Sequence, residues 1–217
     1  MKHSLLPGLL ALCSIAAVAA SAAPPERDCA RPVLVLDARV TPAIVDRDWG
    51  SGAAHDEAKA AIELRDCGGR TLDRLQLSGP LARLDPQPLR GAPAPTWLVS
   101  TDLTAAMGSY SGPLTLLVEA SGRRLHLAEA VDEHGQRALV HLAATGKRDW
   151  RRVEAGDADD LLSVSCQPDG RDGFVTLWRR YHPGPRGWTQ RTRSANAFWE
   201  SDGGFPPDNA FPAVDRP

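Results

Sequence analysis

The chain has 217 residues, 42% of them hydrophobic and 24% charged, with a formal net charge of −2. A packed core is within reach and wholesale disorder is excluded. A globally basic nucleic-acid binder is excluded too, though a local basic patch is not. Outside the first 22 residues no apolar run is long enough to span a bilayer, so the mature chain is expected to be soluble.

Met1-Lys2-His3 is a short basic start, Leu5 to Ala20 is apolar apart from Pro7-Gly8, and Ala20-Ser21-Ala22 supplies small residues. Together they predict a secretory signal peptide over residues 1–22, cut after Ala22. A lipoprotein cut at Cys13 fits less well, because Leu12 is bulky where a small residue is wanted. Losing the leader removes Lys2 and Cys13, turning −2 into −3 and leaving Cys29, Cys67 and Cys166. Three cysteines in an oxidising compartment predict one disulfide and one spare thiol. Arginine and alanine abound while Lys59 and Lys147 are the mature lysines, a bias that suggests a GC-rich bacterial genome. The expected location is the bacterial periplasm or the cell exterior.

In chain order, Pro32 to Val40 is apolar and β-branched and predicts a strand. Thr41 to Ala54 carries Pro42, Gly50 and Gly52 and reads as a long loop. Alternation predicts strands over about Lys59–Asp66 and Leu72–Leu77. Gly79 to Pro95, rich in proline, reads as an irregular crossover. Thr96–Thr101, Leu114–Glu119, Arg123–Val131 and Arg137–Ala143 read as strands, the last two as a hairpin around Asp132-Glu133-His134-Gly135. Lys147 to Asp160 is charged and reads as irregular. Leu161–Cys166, Gly173–Tyr181 and Trp188–Arg193 complete the strands, the last two forming a hairpin over Pro183–Gly187.

About ten short strands with turn residues between them predict an all-β fold, an antiparallel β-sandwich or open barrel with long irregular loops and little helix. It reads as a single β-rich domain over 23–193, with a subdivision near 144–160 left open, and an extended tail over 194–217. If the first two strands are antiparallel neighbours, Cys29 and Cys67 flank adjoining ends. That favours a Cys29–Cys67 bond, worth about 2–4 kcal/mol, over the rival Cys67–Cys166.

The motifs with chemical content are sparse. Gly108-Ser109-Tyr110-Ser111-Gly112 fails as a nucleophile elbow, because Tyr110 stands where serine belongs and Pro113 and a strand follow. The loop still offers Tyr110 to a ligand. His126 and His141 meet across their hairpin only if the paired numbers sum to 267, and even then a third metal ligand is missing, though Glu129 is near. Asp157–Asp160 and Asp169–Gly173 are too short or too poor in ligands for calcium and read as polar turns. No cofactor motif is present, and no metal set is assigned.

The most suggestive stretch is Arg171 to Trp199, where six arginines face the single acid Asp172 and aromatics are interleaved. Trp178, Arg180, Tyr181, Trp188 and Arg191, with Tyr110, are the candidate ligand-binding residues, since arginine and tryptophan side by side stack on sugars and clamp anions. The alternative is aromatics in the core and arginines guarding a sheet edge. In the tail, Phe205-Pro206-Pro207 and Phe211-Pro212 read as anchors on the protein's own surface.

Three functions remain. The first is a non-catalytic binding or inhibitor-like module whose partner is a protein or an anionic glycan of the cell envelope. It expects Trp178, Arg180, Trp188 and Arg191 on one surface. The second is an envelope structural or assembly component that docks through sheet edges or the tail. The third is an exported hydrolase drawing on Asp102, Ser109, Tyr110, Ser111, His126 and His141, with a histidine in reach of the 102–112 loop. No catalytic residue is assigned.

Overall fold

The computed structural model describes residues 33–37, 60–77, 82–101, 109–110 and 112–213. The expected signal peptide, Cys29, Asp102 and Ser111 lie outside the described residues. The described chain is all-β. Its first strands are β1 (Val33–Asp37), β2 (Ala61–Arg65), β3 (Thr71–Gln76), β4 (Ala82–Leu84), β5 (Thr96–Thr101), β6 (Leu114–Ser121) and β7 (Arg124–Leu127). Then come β8 (Glu129–Val131), β9 (Arg137–Leu139), β10 (His141–Ala143), β11 (Arg148–Ala155), β12 (Ala158–Pro168), β13 (Phe174–Gly184) and β14 (Gly187–Ala195).

These strands make three sheets. The first has the order β1-β2-β3; the second runs β10-β6-β5-β4 with β7 also paired to β6; the third runs β11-β12-β13-β14-β8-β9. All pairings are antiparallel except β14 with β8, which is parallel through Trp188↔Ala130 and Thr189↔Val131.

Alternation along β5 and β6 explains how the sheets stack. Val99 and Val118 face the first sheet and pack with Ile62 and Leu64. Leu98 and Leu117 face the third sheet and pack with Leu161, Tyr181 and Trp188. The second sheet therefore has a hydrophobic cluster on each face. A third cluster, Leu162 and Val164 with Phe211, lies on the outer face of the third sheet, beneath residues 199–211.

The expected hairpin over 123–143 forms, but each arm is cut by a corner. Arg123–Val131 divides into β7 and β8, and Arg137–Ala143 into β9 and β10. At the break, Val140 N–H donates to Ala128 O at 2.9 Å, and Ala128 N–H to Leu117 O at 2.9 Å. β8 and β9 pair in the third sheet, whereas β7 and β10 both pair with β6 in the second. This separates the two histidines: His126 lies opposite Glu119, and His141 opposite Leu116.

The charged segment 147–160, expected to be irregular, forms β11 and the start of β12 instead. β11 is an edge strand, and its charges are accommodated individually. Arg151 pairs with Asp208 of the tail, and Arg152 with Asp159. The crossover 79–95 contains the short β4. The tail closes over its own domain. Thr176 Oγ1 donates to Ala197 O at 2.8 Å, Phe205 stacks on Phe211, and Lys147 pairs with Glu200 while lying 3.6 Å from the Phe198 ring centroid.

Candidate functional site: a cationic cleft

Register decides which residues of the basic-aromatic hairpin share a face. β13 and β14 pair through Arg180↔Arg191, Trp178↔Arg193 and Pro183↔Trp188. Trp178, Arg180, Arg191 and Arg193 therefore share the outer face, while Trp188 lies with Tyr181 on the inner one. Trp188 is 1% exposed and Tyr181 4%. The expectation of one partly exposed surface carrying Trp178, Arg180, Trp188 and Arg191 is met by Trp178, Arg180 and Arg191 and is corrected for Trp188. The hydrophobic core claims Trp188, whose Nε1 donates to the buried Glu119 carboxylate at 3.1 Å. Trp178 packs under the tail. Arg180 is held by the fully buried Asp160 at 3.2 Å, which also receives His182 Nδ1 at 2.6 Å. Arg191 is exposed on the strand beyond. Tyr110, also named as a candidate, is 46% exposed and stands apart from this hairpin in the sequence.

The acidic stretches are spent on arginines and turns. Asp159, with no exposed surface, accepts from the Arg90 backbone at 2.8 Å and from Arg90 Nε at 3.0 Å, and pairs with Arg152. Burial pushes its carboxyl up, but the Arg90 bonds and Arg152 outweigh that and bring it down to about 2. Asp169 accepts from the Arg171 and Gly173 amides and shapes a turn.

The inner face of the same hairpin holds what the sequence reading passed over. A cleft of about 320 Å³ opens between the third sheet and the β9–β10 arm. β12 contributes Ser163 and Ser165, β13 Arg179 and Tyr181, β14 Gln190, and β11 Arg148; His141 of β10 faces them. The register explains the convergence: Ser165 lies opposite Arg148 and Ser163 opposite Arg179, so one face of three strands presents these groups together.

The electrostatics are one-sided. Among the described residues, no carboxylate lines the cleft. Arg148 and Arg179 are part-buried, and among the described residues neither forms an ion pair. Arg179 Nη1 donates to Ser165 Oγ at 2.9 Å. Partial burial, and then the Arg148 charge, push the His141 imidazole below its ordinary value. Burial raises the Tyr181 phenol, and Arg179 draws it partly back. Part-buried cations that share one cleft cost stability less when an anion joins them. Of the candidates named from sequence, Tyr181 and His141 line this cleft; Arg148 and Arg179 were not singled out. The alternation of Arg179 with Arg180 was the available signal.

Two further clefts carry carboxylate-held imidazoles. Glu119 accepts from Trp188 and contacts Thr96 Oγ1 at 3.3 Å, and His126 Nε2 lies 2.9 Å from it at the edge of one. Asp160 and His182 lie in the other, between the 155–158 turn and Pro183–Pro185. Ser109 is tied by its carbonyl to the Lys147 amide at 2.9 Å. Cys166 is a free, buried thiol accepting from the Trp199 amide at 3.5 Å, which removes Cys67–Cys166 as a pairing. Compared with known families, curated proteins and solved structures, the chain matches no family model, no curated relative and no solved structure.

Proposed function

We propose that this is an exported, non-catalytic binding module that takes an anionic ligand into the cleft between the third sheet and the β9–β10 arm. One observation carries the reading: Arg148 and Arg179 are part-buried, lack carboxylate partners among the described residues, and line one cleft free of acids. Folding that places two part-buried guanidiniums in one cleft without a carboxylate works against stability, and such groups are retained where a ligand supplies the missing charge. Arginine is suited to this because its planar fork bonds oxyanions through two N–H groups at once. An anionic glycan of the envelope remains the expected partner. Export rests on the basic-apolar-small order of residues 1–22.

A thermal-shift panel tests this reading. Phosphate, sulfate, citrate and uronate are added to the mature protein and to an Arg148→Gln/Arg179→Gln variant. At a ligand concentration of 100 Kd the stabilisation is about 2.7 kcal/mol, which moves a melting temperature by several degrees. At least one anion is expected to stabilise the mature protein and not the variant. Stabilisation of neither, or of both equally, would remove the site.

A Cys29–Cys67 bond belongs to the same proposal. It is supported by the β1–β2 register, Val33↔Arg65, and by the disulfide-bonded state of Cys67. Peptide mapping without reductant is expected to yield a linked fragment containing both residues.

A hydrolase is the second reading. It is favoured by His126, held by Glu119 at a cleft that Ser121 also lines. Labelling by a serine-directed fluorophosphonate, lost on Ser121→Ala, would support it over the first.

A further inference from the structure

We propose that the cleft is shaped for a phosphomonoester carried on a small hydroxylated body, a sugar phosphate in preference to a carboxylated or sulfated sugar. This rests on the reading of the cleft as an anion site and goes further by assigning the anion. Charge is the first argument. Arg148 and Arg179 are two permanent cations with no acid among the described lining residues. A carboxylate or a sulfate ester brings one negative charge and leaves one guanidinium uncompensated. A phosphomonoester brings about −1.5 to −2 at neutral pH and balances both.

Donor supply is the second. Ser165 Oγ accepts from Arg179 Nη1, so its own proton is left to donate into the cleft. Ser163 and Tyr181 add two more hydroxyls, and the two guanidiniums add several N–H groups. An ionised carboxylate has about four lone-pair sites in one plane. A phosphoryl group has three strong acceptor oxygens arranged around phosphorus. The donors here come from β11, β12 and β13 on one wall and from His141 on the other. A tetrahedral acceptor reaches both walls, whereas a planar one engages a single fork.

Size and rim are the third. A cleft of about 320 Å³ is larger than an inorganic phosphate ion requires and sits at the small end of ligand clefts, about 300–1,000 Å³. Gln167 and Gln190 offer amides to hydroxyls, and Leu139, 51% exposed, offers an apolar surface to a ring face.

Isothermal titration calorimetry on the mature protein tests the assignment with glucose 6-phosphate, glucuronate, glucose 6-sulfate, inorganic phosphate and glucose. Glucose 6-phosphate is expected to bind at least about tenfold more tightly than glucuronate or the sulfate, and more tightly than inorganic phosphate. Arg179→Lys, which keeps the charge and loses the fork, is expected to weaken the phosphate ester about tenfold. Glucuronate or the sulfate binding as tightly would overturn the phosphomonoester while leaving an anion site standing. Inorganic phosphate binding as tightly would remove the sugar body. Glucose binding as tightly would overturn the assignment, and no binding by any anion would overturn the anion site as well. Circular dichroism and urea unfolding of Arg179→Lys separate a lost site from a lost fold.

Discussion

At the scale of single residues, the molecule treats its charges in two opposite ways. Asp159, Asp160 and Glu119 are buried, and each is surrounded by named partners. Arg148 and Arg179 are part-buried and, among the described residues, meet no acid. Asp159→Asn is expected to cost about 2–3 kcal/mol, because it leaves Arg90 and Arg152 facing a neutral amide; urea unfolding measures this. Asp159 also sets an acid limit. Its carboxyl is held at about 2 against an ordinary 3.8. As pH falls below about 4 the unfolded chain takes the proton first, so the stability from this group is complete above pH 4 and is lost as pH drops toward 2. A midpoint that stays constant between pH 4 and 2 would contradict the pairing. His141 works in the opposite sense: its folded form prefers the neutral imidazole because of burial and Arg148. A bound anion beside Arg148, Arg179 and Tyr181 is expected to raise the His141 titration midpoint, read from its ring-proton NMR shift. Little of this was legible in the sequence. Composition gives the number of arginines, but only the sheet register says which of them meet an acid.

Among the elements, the hairpin of β13 and β14 is where pattern reading both succeeds and fails. Its strands and turn follow from alternation and from Pro183–Gly187. Trp188 could not be assigned to a face without the register across the turn, which pairs it with Pro183 and sends it to the core. β11 was hidden for a different reason. An edge strand is free to carry charges on both faces, so Arg148–Ala155 lacks the apolar alternation that marks a buried strand. The hairpin over 123–143 concealed its corner because Ala128 and Val140 are ordinary apolar residues in an apolar run. The tail acts as a covering element, with Phe211 only 5% exposed over Leu162 and Val164. Phe211→Ala is expected to destabilise by about 3 kcal/mol. It is also expected to increase the reactivity of Cys166, which lies under Trp199, toward a thiol reagent. An unchanged rate would show that residues 199–211 do not protect that face. Gly91 is a second structural point: at φ +77° its absent Cβ would lie 2.5 Å from Ala158 Cβ. Gly91→Ala is therefore expected to destabilise the adjoining Arg90–Asp159 link.

For the molecule as a whole, the class was readable and the arrangement was not. Closely spaced turns and β-branched runs identify an all-β chain. The number of sheets depends on whether strands bend from one to another, and two of them do so at positions without glycine or proline. The resulting stack buries the middle sheet on both faces. The cationic cleft lies where the third sheet parts from the β9–β10 arm, so its lining is drawn from six strands, β9 to β14. No local motif encodes it. Urea unfolding of the mature protein and of Arg148→Gln/Arg179→Gln, each with and without inorganic phosphate, tests the central claim directly. The variant is expected to be at least as stable as the parent without phosphate, since two uncompensated charges have been removed, and to gain nothing when phosphate is added. A variant that is less stable by about 2 kcal/mol or more without phosphate, and stabilised by phosphate as much as the parent, would show that these arginines hold the fold and bind no anion.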